Sequence, residues 1–130
     1  MSEENVEIFR RGFAAVNHRD LDGFLASVAP DVEFTSLIAE AEGETFRGHE
    51  GVRRWWREVV LPLGGLHGGP DEVRDLGDTV LGRVVAIYHP EGVEVRQTIW
   101  CATRYRDGMA TWWGFFRTEA EALEAAGLEE

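Results

Sequence analysis

The chain has 130 residues, a formal net charge of −11 at pH 7, and arginine but no lysine among its basic residues. Its length suits one domain, and a hydrophobic content of 44% excludes a disordered chain. The acidic balance argues against nucleic acid and anionic membranes as partners, which need clustered cations, and the absence of lysine excludes Schiff-base chemistry.

The N-terminal part of the sequence predicts two helices. Ser2 is an expected N-cap, and apolar residues then recur at helical spacing; they are Val6, Phe9, Phe13 and Val16. Asp20 has the position of an N-cap for a short second helix. Pro30 is expected to end that helix, because proline cannot continue the hydrogen-bond ladder.

The middle of the chain predicts a strand, a very short strand and a third helix. Residues 31–36 alternate between apolar and polar side chains, as in a half-buried strand. The sequence TFRG leads into Gly48, and a helix follows from about Glu50. Pro62 and the glycine pairs at 64–65 and 68–69 predict an irregular segment after it.

The second half of the sequence predicts a sheet. Four β-rich runs cover residues 72–76, 79–89, 93–106 and 109–117. Asp107-Gly108 is a strong signal for a tight hairpin between the last two runs. A short helix is expected over residues 118–127. The order indicates an α+β fold with a curved, mostly antiparallel sheet.

Several stretches carry a resemblance to a known family. They are FAAVNHRDLDGFLASVAPDVEF, FRGHEGVRRWW, the Arg-Asp-Gly hairpin and EALEAAG, in this order along nearly the whole chain. The chain resembles the nuclear transport factor 2-like superfamily, and within it the SnoaL-like group of small bacterial proteins. The resemblance implies a single domain over residues 1–130, a cone-shaped α+β barrel whose curved sheet wraps three helices around a pocket, and commonly a homodimer joined through the outer sheet face.

The acid–base positions of two related enzyme branches are vacant in this sequence. Ketosteroid isomerase, which the segment 14–23 also resembles, needs a carboxylate base where this chain has Ser36. Its two acidic donors fall at Gly12 and at Cys101 or Ala102. The polyketide cyclase branch uses an aspartate near the end of its last strand, where this chain has no carboxylate before Glu119. Neither reaction is expected here.

A pocket lined by aromatic and apolar side chains is predicted between the sheet and the helices. Strand alternation puts Gln97, Ile99 and Cys101 on one face. The complete predicted lining is Phe13, Phe34, Ser36, Trp56, Tyr88, Gln97, Ile99, Cys101, Trp113 and Phe115. The opposite face carries Val85, Ile87 and Trp100, large apolar groups that predict a homodimer interface.

Three residues are candidates for a catalytic role, each with a plainer alternative. Tyr88 and Gln97 could contact a ligand, or their polar atoms could be satisfied locally. His67 could act from a lid over the pocket, or it could be a solvated loop residue. The four histidines lack metal-ligand spacing, so no metal is expected, and no motif indicates a cofactor.

The sequence supports more than one function. A binding protein for a small hydrophobic molecule is the main hypothesis. An isomerase, cyclase or hydrolase acting on a polycyclic or terpenoid-like substrate with non-standard catalytic residues is the alternative, and a dimeric interaction module is a third. Without a visible signal peptide or apolar membrane span, a cytoplasmic location is expected.

Overall fold

Two helices open the fold in the computed structural model, which describes residues 2–35, 45–61 and 67–128. They are α1 (Ser2–Asn17) and α2 (Leu21–Ala26). Asp20 caps α2 as predicted, and its carboxylate accepts a hydrogen bond from the Gly23 amide at 2.9 Å. Pro30 does not end α2, because Ser27 already caps its last turn through hydrogen bonds to the Phe24 carbonyl. Pro30 lies instead inside the first strand.

The next elements are β1 (Val28–Thr35), β2 (Thr45–Arg47) and α3 (Gly48–Trp55). α3 begins two residues before the predicted Glu50, and its axis continues as a single π-helical stretch, Trp56–Val60. Such wide turns are rare and frequently occur at functional sites. This one immediately follows Trp55, the last residue of α3.

Four long strands follow, β3 (His67–Asp75), β4 (Thr79–Tyr88), β5 (Val95–Arg106) and β6 (Met109–Phe116), and then α4 (Glu119–Ala125). β3 begins earlier than predicted, because the backbones of Gly68 and Gly69 pair with β4 in spite of having no side chains to pack. The predicted hairpin at Asp107-Gly108 is confirmed, with φ of 54° and 78° at its two residues.

The strands form one sheet in the order β2-β1-β6-β5-β4-β3. All neighbours are antiparallel except β1 and β6, so the α+β class with a mostly antiparallel sheet is confirmed. β2 and β3 are its edges, and the described residues contain no pairing between them. The sheet is therefore open and does not close into a barrel. Within the described ranges, no helix is long and apolar enough to cross a membrane.

The two faces of the sheet carry separate apolar cores. Side chains of α1, α2 and α3 pack on the inner face and form the larger core. On the outer face, α4 covers Leu81 and Ala102, and Trp100 packs against this smaller cluster. Part of the surface that the sequence assigns to a dimer partner is thus covered by the chain's own C-terminal helix. Val85 and Ile87, further along β4, are half-buried.

Candidate ligand-binding cavity

A cavity lies between α1 and the inner face of the sheet. The space open to the centre of a water molecule is about 90 Å³, several times the roughly 10–15 Å³ that one water needs on this measure. Its wall consists of Ile8, Phe9, Gly12, Phe13, Val16, Asn17, Phe24, Ser27, Val28, Trp55, His67, Gly68, Val84, Val85, Ala86, Ile99, Cys101, Thr103, Tyr105, Ala110, Trp113 and Phe115. Of these only Asn17 and His67 are exposed, so the cavity approaches solvent between the end of α1 and the start of β3.

Five of the predicted pocket residues lie in this wall, and so does the candidate His67. They are Phe13, Ile99, Cys101, Trp113 and Phe115. Phe34, Trp56, Tyr88 and Gln97 lie outside it, and Ser36 falls outside the described residues. Contact of any of these residues with a ligand stays a prediction.

Phe34 and Trp56 are buried elsewhere in the same core. The Phe34 ring is stacked between Phe46, at a centroid distance of 5.0 Å, and Trp113, at 4.1 Å. It supports the wall from behind, because Trp113 stands between it and the cavity. Trp56 is 5% exposed but follows Trp55 on the helix, so it points about 100° away from it. Trp55 takes the place in the wall that the sequence assigned to Trp56.

Tyr88 and Gln97 satisfy each other across neighbouring strands. The Tyr88 hydroxyl donates a hydrogen bond to Gln97 Oε1 at 3.0 Å. Both side chains thus have a local hydrogen bond, and a contact of either one with a ligand stays a prediction.

A row of three polar side chains runs along β5 within the wall. They are Cys101, Thr103 and Tyr105, and Cys101 Sγ lies 3.6 Å from Thr103 Oγ1. Burial raises the pKa of the Cys101 thiol to about 12 and raises the pKa of Tyr105 above its ordinary value. Both groups are therefore protonated at neutral pH, and neither is a ready base or nucleophile.

The described part of this wall carries no carboxylate and no guanidinium group. Among the described residues no aspartate, glutamate or arginine lines the cavity, and no group of three or more His, Cys, Asp or Glu side chains could hold a metal ion. Of the described wall residues with a titratable side chain, His67 is exposed, whereas Cys101 and Tyr105 are buried. The His67 ring is stacked on that of His89, with a centroid distance of 6.3 Å and an interplanar angle of 14°. The described part of the wall can exclude water and donate hydrogen bonds, but it offers no carboxylate for proton transfer.

The sequence matches the family model of the SnoaL-like domain over residues 9–119. This chain belongs to the SnoaL-like family. The resemblance drawn from its sequence is thereby confirmed. No curated protein is similar enough in sequence to match it.

Solved structures share the fold of this chain. TerC, co-crystallised with polyporic acid, is 26% identical and superposes with a TM-score of 0.77 over 93% of this chain and 98% of its own. A Catenulispora acidiphila protein with a ketosteroid isomerase-like fold, in complex with trimethylamine, is 19% identical (TM-score 0.76, 95% and 94%). Rv0760c of Mycobacterium tuberculosis, in complex with estradiol-17beta-hemisuccinate, is 16% identical (TM-score 0.77, 89% and 95%).

Several wall residues of this SnoaL-like domain are absent from the predicted lining. Thr103 and Tyr105 continue the strand alternation that selects Ile99 and Cys101, so parity alone could have added them. Phe24 and Trp55 lie on helices. A helical pattern shows that a residue is buried, but it does not show whether the side chain packs in the core or borders a cavity. Their apolar spacing was visible in the sequence, but no signal in it distinguishes a core position from a cavity wall.

Proposed function

We propose that this SnoaL-like domain binds a small, neutral, hydrophobic molecule in the cavity between α1 and the sheet. The observation that carries the proposal is the composition of the wall, which is apolar and aromatic and, in the described part of the chain, lacks carboxylates and arginines. Cavities of this composition favour ligands with few polar anchors. A charged ligand would lose its hydration there without gaining a counter-charge.

Two similar structures support the same use of the fold. TerC was crystallised with polyporic acid and Rv0760c with estradiol-17beta-hemisuccinate, so organic molecules bind to proteins of this architecture. The identity of the ligand is not transferred from them, because each chain builds its own wall. The homodimer and the cytoplasmic location belong to the same proposal.

An enzyme acting on the same class of molecule is the second candidate. One feature favours it, the Tyr105 hydroxyl, which burial keeps protonated at the cavity wall. Such a hydroxyl can donate a hydrogen bond to a substrate oxygen on which negative charge develops. The binding proposal is preferred, because the described part of the wall contains no carboxylate and its imidazole, that of His67, lies at the exposed side of the cavity.

A pair of leucine substitutions on α1 tests the location of the site. Gly12 lies in the wall, and a Cβ atom built there meets only Phe24 Cε1, at 3.8 Å, so a leucine side chain would fill the cavity. Ala14 is exposed on the same helix and provides the matched control. In ligand-detected NMR with indane, a neutral bicyclic hydrocarbon, we expect binding by the wild type and by Ala14→Leu, and none by Gly12→Leu. Unchanged binding in Gly12→Leu would refute the location.

A further inference from the structure

The cavity has an exposed end and an inner end, which lie near opposite ends of α1. At the exposed end Asn17, the last residue of α1, is hydrogen-bonded to Gly68 at the start of β3. Near the start of α1, Asn5 donates a hydrogen bond to the Gly77 carbonyl, in the connection between β3 and β4. The Tyr105 amide donates to another carbonyl of the same connection at 2.8 Å. Tyr105 therefore lies in the cavity wall at the inner end.

Tyr105 belongs to a polar strip in a wall that is otherwise mostly apolar. Cys101, Thr103 and Tyr105 are two residues apart along β5, so their side chains share its inner face. All three are buried, with exposed fractions between 3% and 6%. Because the strip runs toward the inner end, the polar group of a ligand finds partners there, away from the exposed end.

The Tyr105 hydroxyl has surface that a ligand can reach. Among the described side chains, Trp55 Nε1 alone is a buried nitrogen or oxygen that lacks both a hydrogen-bond partner and surface accessible to water. The Tyr105 hydroxyl forms no hydrogen bond of ordinary length and angle with a described residue, and it is not enclosed in that way. Its oxygen therefore borders space that a water molecule or a ligand atom can enter.

The side of the ring on which this hydroxyl lies follows from its neighbours. Tyr105 also borders a polar groove outside the cavity, formed by residues 4–5, 77–78 and 107–108. Burial raises the pKa of Tyr105, the neighbouring Cys101 raises it further, and a polar contact with the Thr103 side chain lowers it. Both of these neighbours line the cavity and neither lines the groove. The hydroxyl therefore lies on the cavity side.

We infer that the Tyr105 hydroxyl is the polar anchor of the ligand, and that the ligand is a ring compound whose uncharged acceptor oxygen, such as a ketone, points to the inner end of the cavity. The inference rests on the proposed function and adds the chemical class and the orientation of the ligand. A phenol hydroxyl can donate, and a ketone oxygen only accepts. A carboxylate is disfavoured as the acceptor, because no arginine lines the cavity in the described ranges.

The aromatic part of the wall explains why the rest of the ligand is a ring. Phe24 and Trp113 both line the cavity, and their rings are nearly perpendicular, at 87° with centroids 5.6 Å apart. They offer an edge and a face to the same space. Aromatic rings favour edge-to-face and offset-stacked contacts of this kind.

Two compounds with the same bicyclic frame test the inference, 1-indanone with a ketone and indane without one. Each is titrated into the full chain and its variants, and the dissociation constants are measured from ¹H–¹⁵N NMR spectra. Tyr105→Phe removes only the hydroxyl. We expect it to weaken the binding of 1-indanone about tenfold and to change that of indane by less than about twofold. Thr79→Val removes a buried hydroxyl outside the wall and should leave both affinities unchanged.

The Cζ carbon of Tyr105 gives a second reading, which needs no change at this residue. The chain has two tyrosines, so selective ¹³C labelling gives two Cζ signals, and Tyr88→Phe assigns them. A new hydrogen bond at the hydroxyl changes the shielding of the attached carbon. We therefore expect the Tyr105 signal of the wild type to move clearly more with 1-indanone than with indane. This reading decides the matter even if Tyr105→Phe fails to fold.

The outcomes separate the anchor from the site. Equal weakening of both compounds in Tyr105→Phe, or equal movement of the Tyr105 Cζ signal with both, would overturn the role of the hydroxyl and leave the cavity as the binding site. Failure of both compounds to bind the wild type would overturn the proposed function itself.

Discussion

Asn17 and Gly68 are joined by a reciprocal pair of hydrogen bonds. The Asn17 amide nitrogen donates to the Gly68 carbonyl at 2.9 Å, and the Gly68 amide donates to Asn17 Oδ1 at 2.8 Å. The pair ties the C-terminal end of α1 to the start of β3. Since Asn17 is an exposed residue of the cavity wall, the link lies where the cavity approaches solvent.

Removing this link should loosen the exposed side of the cavity at a modest cost in stability. For Asn17→Ala we expect the free energy of unfolding in urea to fall by about 1 kcal/mol, because two partly solvated hydrogen bonds are lost. The Gly68 amide should exchange its hydrogen faster. His18→Ala, at the exposed neighbouring position, is the control and should change neither quantity. Equal behaviour of the two variants would contradict a role for the link.

Gly68 should be far less tolerant of a side chain than another glycine with positive φ. Gly68 has a φ of 135°, and a Cβ atom there would lie 1.9 Å from the Val85 carbonyl oxygen. Gly77 has a φ of 93° and open space around it. We expect Gly77→Ala to cost about 1–2 kcal/mol of backbone strain and Gly68→Ala to cost clearly more in urea unfolding. Similar losses in both would show that the start of β3 adapts easily.

Gly12 leaves space for the cavity, and we expect this to lower the stability of the fold. It lies within α1, and its substitution by alanine meets no close contact. We expect Gly12→Ala to raise the free energy of unfolding by about 1 kcal/mol through helix propensity. Ala14→Gly, on the exposed side of the same helix, should lower it by about the same amount. A destabilised Gly12→Ala would mean that the wall has no room there.

Because Cys101 and Tyr105 are buried, we expect the free energy of unfolding to depend on pH in the alkaline range. Burial raises the pKa of both groups, that of Cys101 to about 12, so the folded state keeps protons that the unfolded chain releases above about pH 9. Below that pH both states hold the protons, and neither group changes stability. Above about pH 9 for Cys101 and about pH 10 for Tyr105, the free energy of unfolding should fall by up to about 1.4 kcal/mol per pH unit for each group.

Urea unfolding at a series of pH values measures this slope. Cys101→Ala should reduce the slope between about pH 9 and 10, where the unfolded thiol titrates before the unfolded tyrosine does. The comparison uses the slope and not the absolute stability, because the substitution also changes packing. Identical slopes in the two proteins would exclude a buried thiol as the cause.

The predicted homodimer can be tested on the part of the outer face that α4 leaves uncovered. Ile87 is preferred for this purpose, because Trp100 packs against the α4 cluster and Val85 reaches the cavity wall. Ile87→Asp should shift the protein toward a monomer in sedimentation velocity, since a buried charge would oppose association. Val93→Asp, at a residue that is 65% exposed outside the strands, should not. A monomeric wild type would refute the dimer directly.

The order of elements could be predicted from sequence because its signals are local. The Asp20 cap, the alternation along β5 and the Asp107-Gly108 turn each act within a few residues. Where backbone pairing overrode composition, the prediction was wrong. Gly68 and Gly69 were assigned to an irregular segment, although they pair with β4.

The site could be predicted only in part, because its shape depends on contacts between distant elements. The choice between Trp55 and Trp56 depends on the rotation of α3 against the sheet, and both residues are buried. Phe34 has the alternation pattern of a pocket residue, but its ring is covered by that of Trp113. Trp113 lies on β6, which is far from Phe34 along the chain. The Tyr88–Gln97 hydrogen bond joins two strands whose register sequence alone does not provide.

The position of β6 in the sheet constrains when this protein can fold. β6 lies between β1 and β5, so the N-terminal pair of strands is connected to the rest of the sheet through the last of the described strands in the chain. It also supplies Ala110, Trp113 and Phe115 to the cavity wall. A ribosome-bound chain that ends before β6 has neither a continuous sheet nor a closed wall. Its apolar surfaces therefore stay unpaired until β6 has been synthesised, the interval in which chaperones and aggregation compete for such a chain.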